Sequence, residues 1–150
     1  AHQSIHFTHI AYDEIKPVFG NQGKPLSRKD IQKEDELLVI SGIASPEGFI
    51  KEVGKFSDKV TPLIFPDHHA FEKSDIRRIK NTFDKMKSSA KYILVTEKDA
   101  ARLLDNPHIP EDWKTCMYYL PITIEFCLDK KFDDEIKKHI TTFHKDNLLR

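Results

Sequence analysis

The chain has 150 residues, enough for one domain with its own core. Hydrophobic residues make up 39% and charged residues 32%, a balance that excludes an intrinsically disordered chain. Lys and Arg number 24 and Asp and Glu also 24, so there is no basic excess and no expectation of a nucleic-acid partner.

No apolar run approaches the about 20 residues that cross a bilayer, and the start carries no signal-peptide pattern. Residues 1–9 open in mid-pattern, which leads to the expectation of a chain cut from something longer. Cys116 and Cys127 fall in or near predicted strands. They are read as small buried side chains, with no spacing for a disulfide or metal pair.

Residues 4–10 and 14–19 read as two short strands. Ile5, Phe7 and His9 alternate with His6, Thr8 and Ile10, the period of a strand. Gly20, Gly23 and Pro25 mark a loop through Ser27. The reading is an N-terminal β-hairpin and linker over residues 1–27, ahead of an α/β domain over 28–150. A hairpin alone is marginal in water, so this one is expected to pack on something else.

The second segment alternates strand and helix. Leu37-Leu38-Val39-Ile40 is a continuous apolar run, as a strand buried on both faces requires. After the Ser41–Ala44 turn, Ser45 fits an N-cap, with Pro46 and Glu47 behind it. Phe49, Ile50 and Val53 form a buried stripe, and Gly54 is the stop. Val60–Phe65 is the next strand, with Pro62 marking its start or an irregularity. Pro66-Asp67-His68-His69 follows. A helix over 74–87 places Ile76, Ile79, Phe83 and Met86 on one face.

Tyr92–Val95 is a third core strand. Thr96-Glu97-Lys98-Asp99 opens a helix through Leu104, with Thr96 and Asp99 at capping-box spacing. Asn106, Pro107 and Pro110 end that unit. Residues 117–120 and 122–126 are strands on either side of Pro121. A last helix over 131–144 directs Phe132, Ile136, Ile140 and Phe143 to the core. Strands separated by helices predict βαβ units and a mainly parallel sheet flanked by helices, a Rossmann-like three-layer half.

Three of the strands end in polar turns: Ser41-Gly42, Asp67-His68-His69 and Thr96–Asp99. In a parallel sheet all three emerge at the carboxyl edge, where open α/β sheets bind ligands. Helix N-termini at that edge suit phosphate or carboxylate. Asp67 and His68 pair a carboxylate with an imidazole, a set able to act as base, metal ligand or oriented acid; the plain alternative is a solvated turn.

Capping accounts for Thr96 and Asp99, whereas Lys98 opposes the helix dipole and faces either solvent or a phosphate. Arg102 lies one turn on, on the same face. The other histidines carry weaker signals. His2, His6 and His9 sit on the hairpin, His108 in a Pro-flanked loop, and His139 and His144 on the last helix. Trp113, Tyr118 and Tyr119 are read as packing. No G-x-x-x-x-G-K-[ST] loop, G-x-G-x-x-G or G-x-S-x-G is present, and five glycines leave little material for a phosphate cradle.

The turns, in their order, resemble the C-terminal half of the tetraacyldisaccharide 4′-kinase (lipid A 4′-kinase) family. The pieces are residues 41–49 (Ser41-Gly42-Ile43-Ala44-Ser45-Pro46-Glu47-Gly48-Phe49), 65–71 (around Asp67-His68-His69), 95–103 (around Thr96-Glu97-Lys98-Asp99) and 118–122 (Tyr118-Tyr119-Leu120-Pro121-Ile122). The likeness is good over residues 37–126 and loose at the flanks.

The resemblance implies transfer of the ATP γ-phosphate to the 4′-hydroxyl of a lipid A disaccharide precursor, a tetraacyldisaccharide 1-phosphate. It further implies Mg²⁺, a site of action at the cytoplasmic face of the inner membrane, and a partner P-loop domain joined through the hairpin. His68 would assist a catalytic aspartate on that domain, with Asp67 fixing the loop. Thr96, Glu97, Lys98 and Asp99 would face the nucleotide. The chain alone would be soluble and inactive. Two alternatives are a metal-dependent phosphoesterase built on Asp67-His68-His69 and a non-catalytic α/β binding domain.

Overall fold

The computed structural model describes residues 5–127 and 131–147. The chain divides into two compact units, one formed by residues 12–122 and the other by the two ends, residues 1–11 with 123–150.

The larger unit holds a five-stranded sheet of order β2-β6-β5-β3-β4. Its strands are β2 (Lys16–Pro17), β3 (Glu36–Ser41), β4 (Lys59–Ile64), β5 (Lys91–Thr96) and β6 (Met117–Leu120). The β3–β4, β3–β5 and β5–β6 pairings are parallel, and β2 pairs antiparallel with β6. Helices α1 (Glu47–Val53), α2 (Lys73–Asp84) and α3 (Glu97–Leu104) make the crossovers between successive parallel strands.

The period of two along β3 explains the layering. Leu38 and Ile40 enter one apolar cluster with Ile76, Ile79 and Phe83 of α2, Leu103 of α3, and Trp113. Leu37 and Val39 enter the other, with Phe49 and Val53 of α1 and with Ile15, Leu26 and Ile31 from the segment ahead of β3. A strand buried on both faces therefore needs the continuous apolar run that the sequence shows. Pro62 is accommodated because β4 lies at the sheet edge, where a missing N–H costs no ladder bond on the outer side.

The smaller unit contains a two-stranded sheet, β1 (Thr8–Tyr12) with β7 (Ile122–Phe126), and α4 (Lys131–Asn147). The two-stranded element expected near the N-terminus is present, with a different partner. The segment 14–19 supplies only the short β2, which joins β6, while β1 pairs with β7 from the far end of the chain. In this unit His6 packs edge-on against Phe126 and Phe132, and those two rings stack at 4.7 Å.

Several local expectations shift. The α1 N-cap is Pro46 rather than Ser45, and it makes no side-chain cap bond. The second helix spans Lys73–Asp84, so Met86 lies beyond it while still packing on the core. Ile136 and Ile140 of α4 are exposed rather than turned to a core, and the side chain of Phe143 lies outside the described residues. Trp113 and Tyr118 are buried as expected. Cys127 is exposed, whereas burial pushes the Cys116 thiol up to about 11, leaving it a packing group. No helix among the described residues is long and apolar enough to cross a membrane.

Candidate functional site on the carboxyl edge of the sheet

Because β3, β4 and β5 run parallel in one sheet, the segments that follow them emerge at the same edge. Side-chain bonds then tie those segments together. The hub is Asp99, which is fully enclosed. Its Oδ2 accepts the Gly42 N–H at 2.8 Å and the Thr96 hydroxyl at 2.6 Å. Its Oδ1 accepts from Arg102 Nη1 at 2.8 Å. A buried carboxylate with this many charge-assisted partners is a stable arrangement, whereas an unpaired one would be costly.

The start of α3 shows why the local sequence folds this way. Thr96 is the N-cap, in extended backbone, and its Oγ1 accepts the Asp99 N–H at 3.2 Å. In a full capping box the Asp99 carboxylate would return to the Thr96 N–H. Here it turns inward to Gly42 instead, so half of the expected box forms. Glu97 and Lys98 are exposed on the first turn, and Glu97 Oε2 stands 3.5 Å from the Ile122 N–H. No ion-pair partner meets Lys98 among the described residues.

Gly42 is required by close approach. A Cβ there would lie 3.1 Å from Asp99 Oδ1, 3.3 Å from the Pro66 carbonyl oxygen and 3.4 Å from His69 Cβ. The turn after β3, the loop after β4 and the first turn of α3 thus converge on one backbone atom.

Asp67, His68 and His69 separate into different roles. His69 turns to the protein: Nε2 is 2.8 Å from Asp75 Oδ2, and the ring stacks on Phe65 at 4.9 Å. Asp75 Oδ2 also accepts the Glu72 N–H at 2.9 Å, at the start of α2. Glu72 and Asp75, spaced three apart ahead of an apolar stripe, carried a helix-start signal that sequence reading passed over.

His68 faces outward with its side chain 76% exposed. Its backbone has φ of +56°, the left-handed region that non-glycine residues rarely adopt. Asp67 Oδ1 accepts the His68 N–H at 2.9 Å, which supports that turn, and Asp67 Oδ2 lies 3.6 Å from His68 Nε2.

Arg102 joins His68 to the hub. Its Nη1 donates to Asp99 Oδ1 and, at 3.1 Å, to the Gly42 carbonyl, while Nη2 lies 3.3 Å from His68 Nδ1. The structure therefore brings His68, Asp67, Thr96 and Asp99 onto one edge through a continuous hydrogen-bonded path. His69 is committed to Asp75, so Asp67, His68 and His69 do not converge on a common point.

The Tetraacyldisaccharide-1-P 4′-kinase family profile matches residues 3–141. A tetraacyldisaccharide 4′-kinase of Parabacteroides distasonis is 45% identical over 98% of this chain and 40% of that protein. Proteins of the same name from Flavobacterium johnsoniae and Bacteroides thetaiotaomicron are 35% and 32% identical, each over 97% of this chain and over 37% and 40% of their own length. The chain thus spans about two fifths of the curated relatives it matches, in their C-terminal part. No solved structure matches it. With the polar edge assembled from the segments that carried the sequence resemblance, and a family match that runs through all of them, the chain belongs to the Tetraacyldisaccharide-1-P 4′-kinase family.

Proposed function

We propose that the chain is the C-terminal part of an ATP-dependent kinase that phosphorylates the 4′-hydroxyl of a tetraacyldisaccharide 1-phosphate in lipid A biosynthesis. It would act with its own P-loop domain at the cytoplasmic face of the inner membrane, and alone it would be inactive. The observation that carries this reading is the outward His68, held at the edge by Arg102 next to the exposed first turn of α3.

In this reading an aspartate on the P-loop domain accepts the hydroxyl proton. His68 orients or polarises that aspartate once the domains close and exclude water. Asp67 sets the loop conformation through the His68 N–H. Thr96, Glu97, Lys98 and Asp99 belong to the nucleotide-facing side of the cleft. Lys98 offers an exposed cation for a phosphate, and enclosed Asp99 contributes through Arg102 and Gly42.

Among the described residues no group of three or more His, Cys, Asp or Glu side chains could hold a metal. Mg²⁺ is read, from the family resemblance, as held mainly by the P-loop domain, and no step here runs through it.

The test is His68→Ala in the full-length kinase. Turnover should fall by about 10² to 10⁴, the range for a group assisting proton transfer, with the melting temperature preserved. Unchanged turnover would remove His68 from the chemistry.

A further inference from the structure

The geometry points to Arg102 as a positioning residue that fixes the tautomer of His68, with Asp99 and Gly42 fixing Arg102 in turn. A guanidinium has donors only. With Arg102 Nη2 at 3.3 Å, His68 Nδ1 must present its lone pair, and the single ring proton sits on Nε2. The Nε2–H then points away from Arg102. It is a donor whose nearest anion in this chain, Asp67 Oδ2, stands 3.6 Å off, beyond hydrogen-bond reach, and it is suited to a closer acceptor such as a carboxylate arriving from outside the chain. A histidine in the other tautomer would offer that acceptor a lone pair and repel it.

Two further observations support the assignment. The guanidinium is not free to drift, because Nη1 is shared between Asp99 Oδ1 and the Gly42 carbonyl. His68 also stands in a left-handed backbone conformation, the kind of strain that clusters at functional sites. The catalytic consequence of the tautomer rests on the reading of His68 given above; the tautomer itself does not.

The work of Arg102 is divided between two nitrogens, which permits a separating variant. Arg102→Lys places one ammonium where Nη1 stood and leaves nothing at Nη2. Long-range ¹⁵N–¹H spectra of the native chain, recorded where the imidazole is neutral, should show His68 with a bare Nδ1 and a protonated Nε2. In Arg102→Lys the two tautomers should mix.

In the full-length kinase Arg102→Lys should lower kcat by about 10- to 100-fold, as loss of an orienting partner does, with little change in KM for ATP. Added to His68→Ala it should cost nothing more. A proton on Nδ1 of the neutral ring in the native chain, or losses that simply multiply in the double variant, would overturn the assignment. The native spectrum needs no variant to fold. If His68→Ala is silent, the kinase role of His68 falls while the spectrum still judges Arg102.

Discussion

Asp99 accepts the amide hydrogen of Gly42 at 2.8 Å, locking the first turn of α3 to the turn after β3 across the sheet edge. The same carboxylate holds Arg102 and the Thr96 hydroxyl. Replacing Asp99 by Ala removes one acceptor from three donors at once. The expected loss is about 2–4 kcal/mol, below the range for a fully buried ion pair because the Arg102 side chain keeps 25% exposure to water. Urea unfolding measures this. A loss under about 1 kcal/mol would mean that water replaces these bonds and that the edge is not braced through Asp99.

Gly42→Ala tests the convergence of the three segments. The added methyl would meet Asp99 Oδ1 at 3.1 Å and the Pro66 carbonyl at 3.3 Å. The first belongs to a side chain already bonded on both oxygens, and the second is backbone, so neither yields easily. Overpacking of this kind costs about 1–3 kcal/mol, expected as a lower urea midpoint with an unchanged slope. A neutral substitution would show that the loop after β4 can move away from the turn after β3.

Much of this organisation was legible in the sequence, for physical reasons that differ by element. The β3 strand announced itself because burial on both faces demands an unbroken apolar run. The three polar turns were placed on one edge because parallel strands with helical crossovers allow no other outcome. Thr96 as a cap was legible because its partner, the Asp99 N–H, is local.

What stayed hidden is non-local. Nothing in the alternation of residues 5–10 says that β1 pairs with β7 rather than with the segment next to it. The Asp99–Gly42 bond joins residues 57 positions apart. Arg102 looked like a phosphate-facing cation because its position relative to Lys98 was all that helical spacing could show. The 3.6 period of α4 predicted an apolar face but not what it meets, and Ile136 and Ile140 are exposed.

The start of α2 should respond to acid. Burial pushes the Asp75 carboxyl up, but the Glu72 amide, the His69 ring and the Arg78 charge outweigh it, and the group sits below the usual carboxylate value. An unfolded chain therefore takes up this proton first as pH falls. The stabilisation is fully present above the unfolded value of about 3.9 and is lost as pH drops through the lower folded value. Unfolding followed from about pH 6 down to about pH 3 should show native protein and Asp75→Asn converging at the acid end. Parallel curves would assign the acid sensitivity to other carboxylates.

His68 offers the sharpest separation of stability from function. At φ of +56° an ordinary side chain carries a strain of about 1–2 kcal/mol that glycine avoids. The imidazole gives little back, being 76% exposed, with Arg102 and Asp67 at its ring nitrogens. His68→Gly should therefore leave the denaturation midpoint unchanged or raise stability by up to about 1 kcal/mol, the relief partly offset by the entropy of a freer unfolded chain. Turnover of the full-length kinase should nonetheless fall as it does for His68→Ala. A residue kept for structure would behave the other way, losing stability with the side chain and leaving turnover intact. Strain retained where a cheaper residue exists is then the mark of an imidazole held for use, and a destabilised His68→Gly with normal turnover would contradict it.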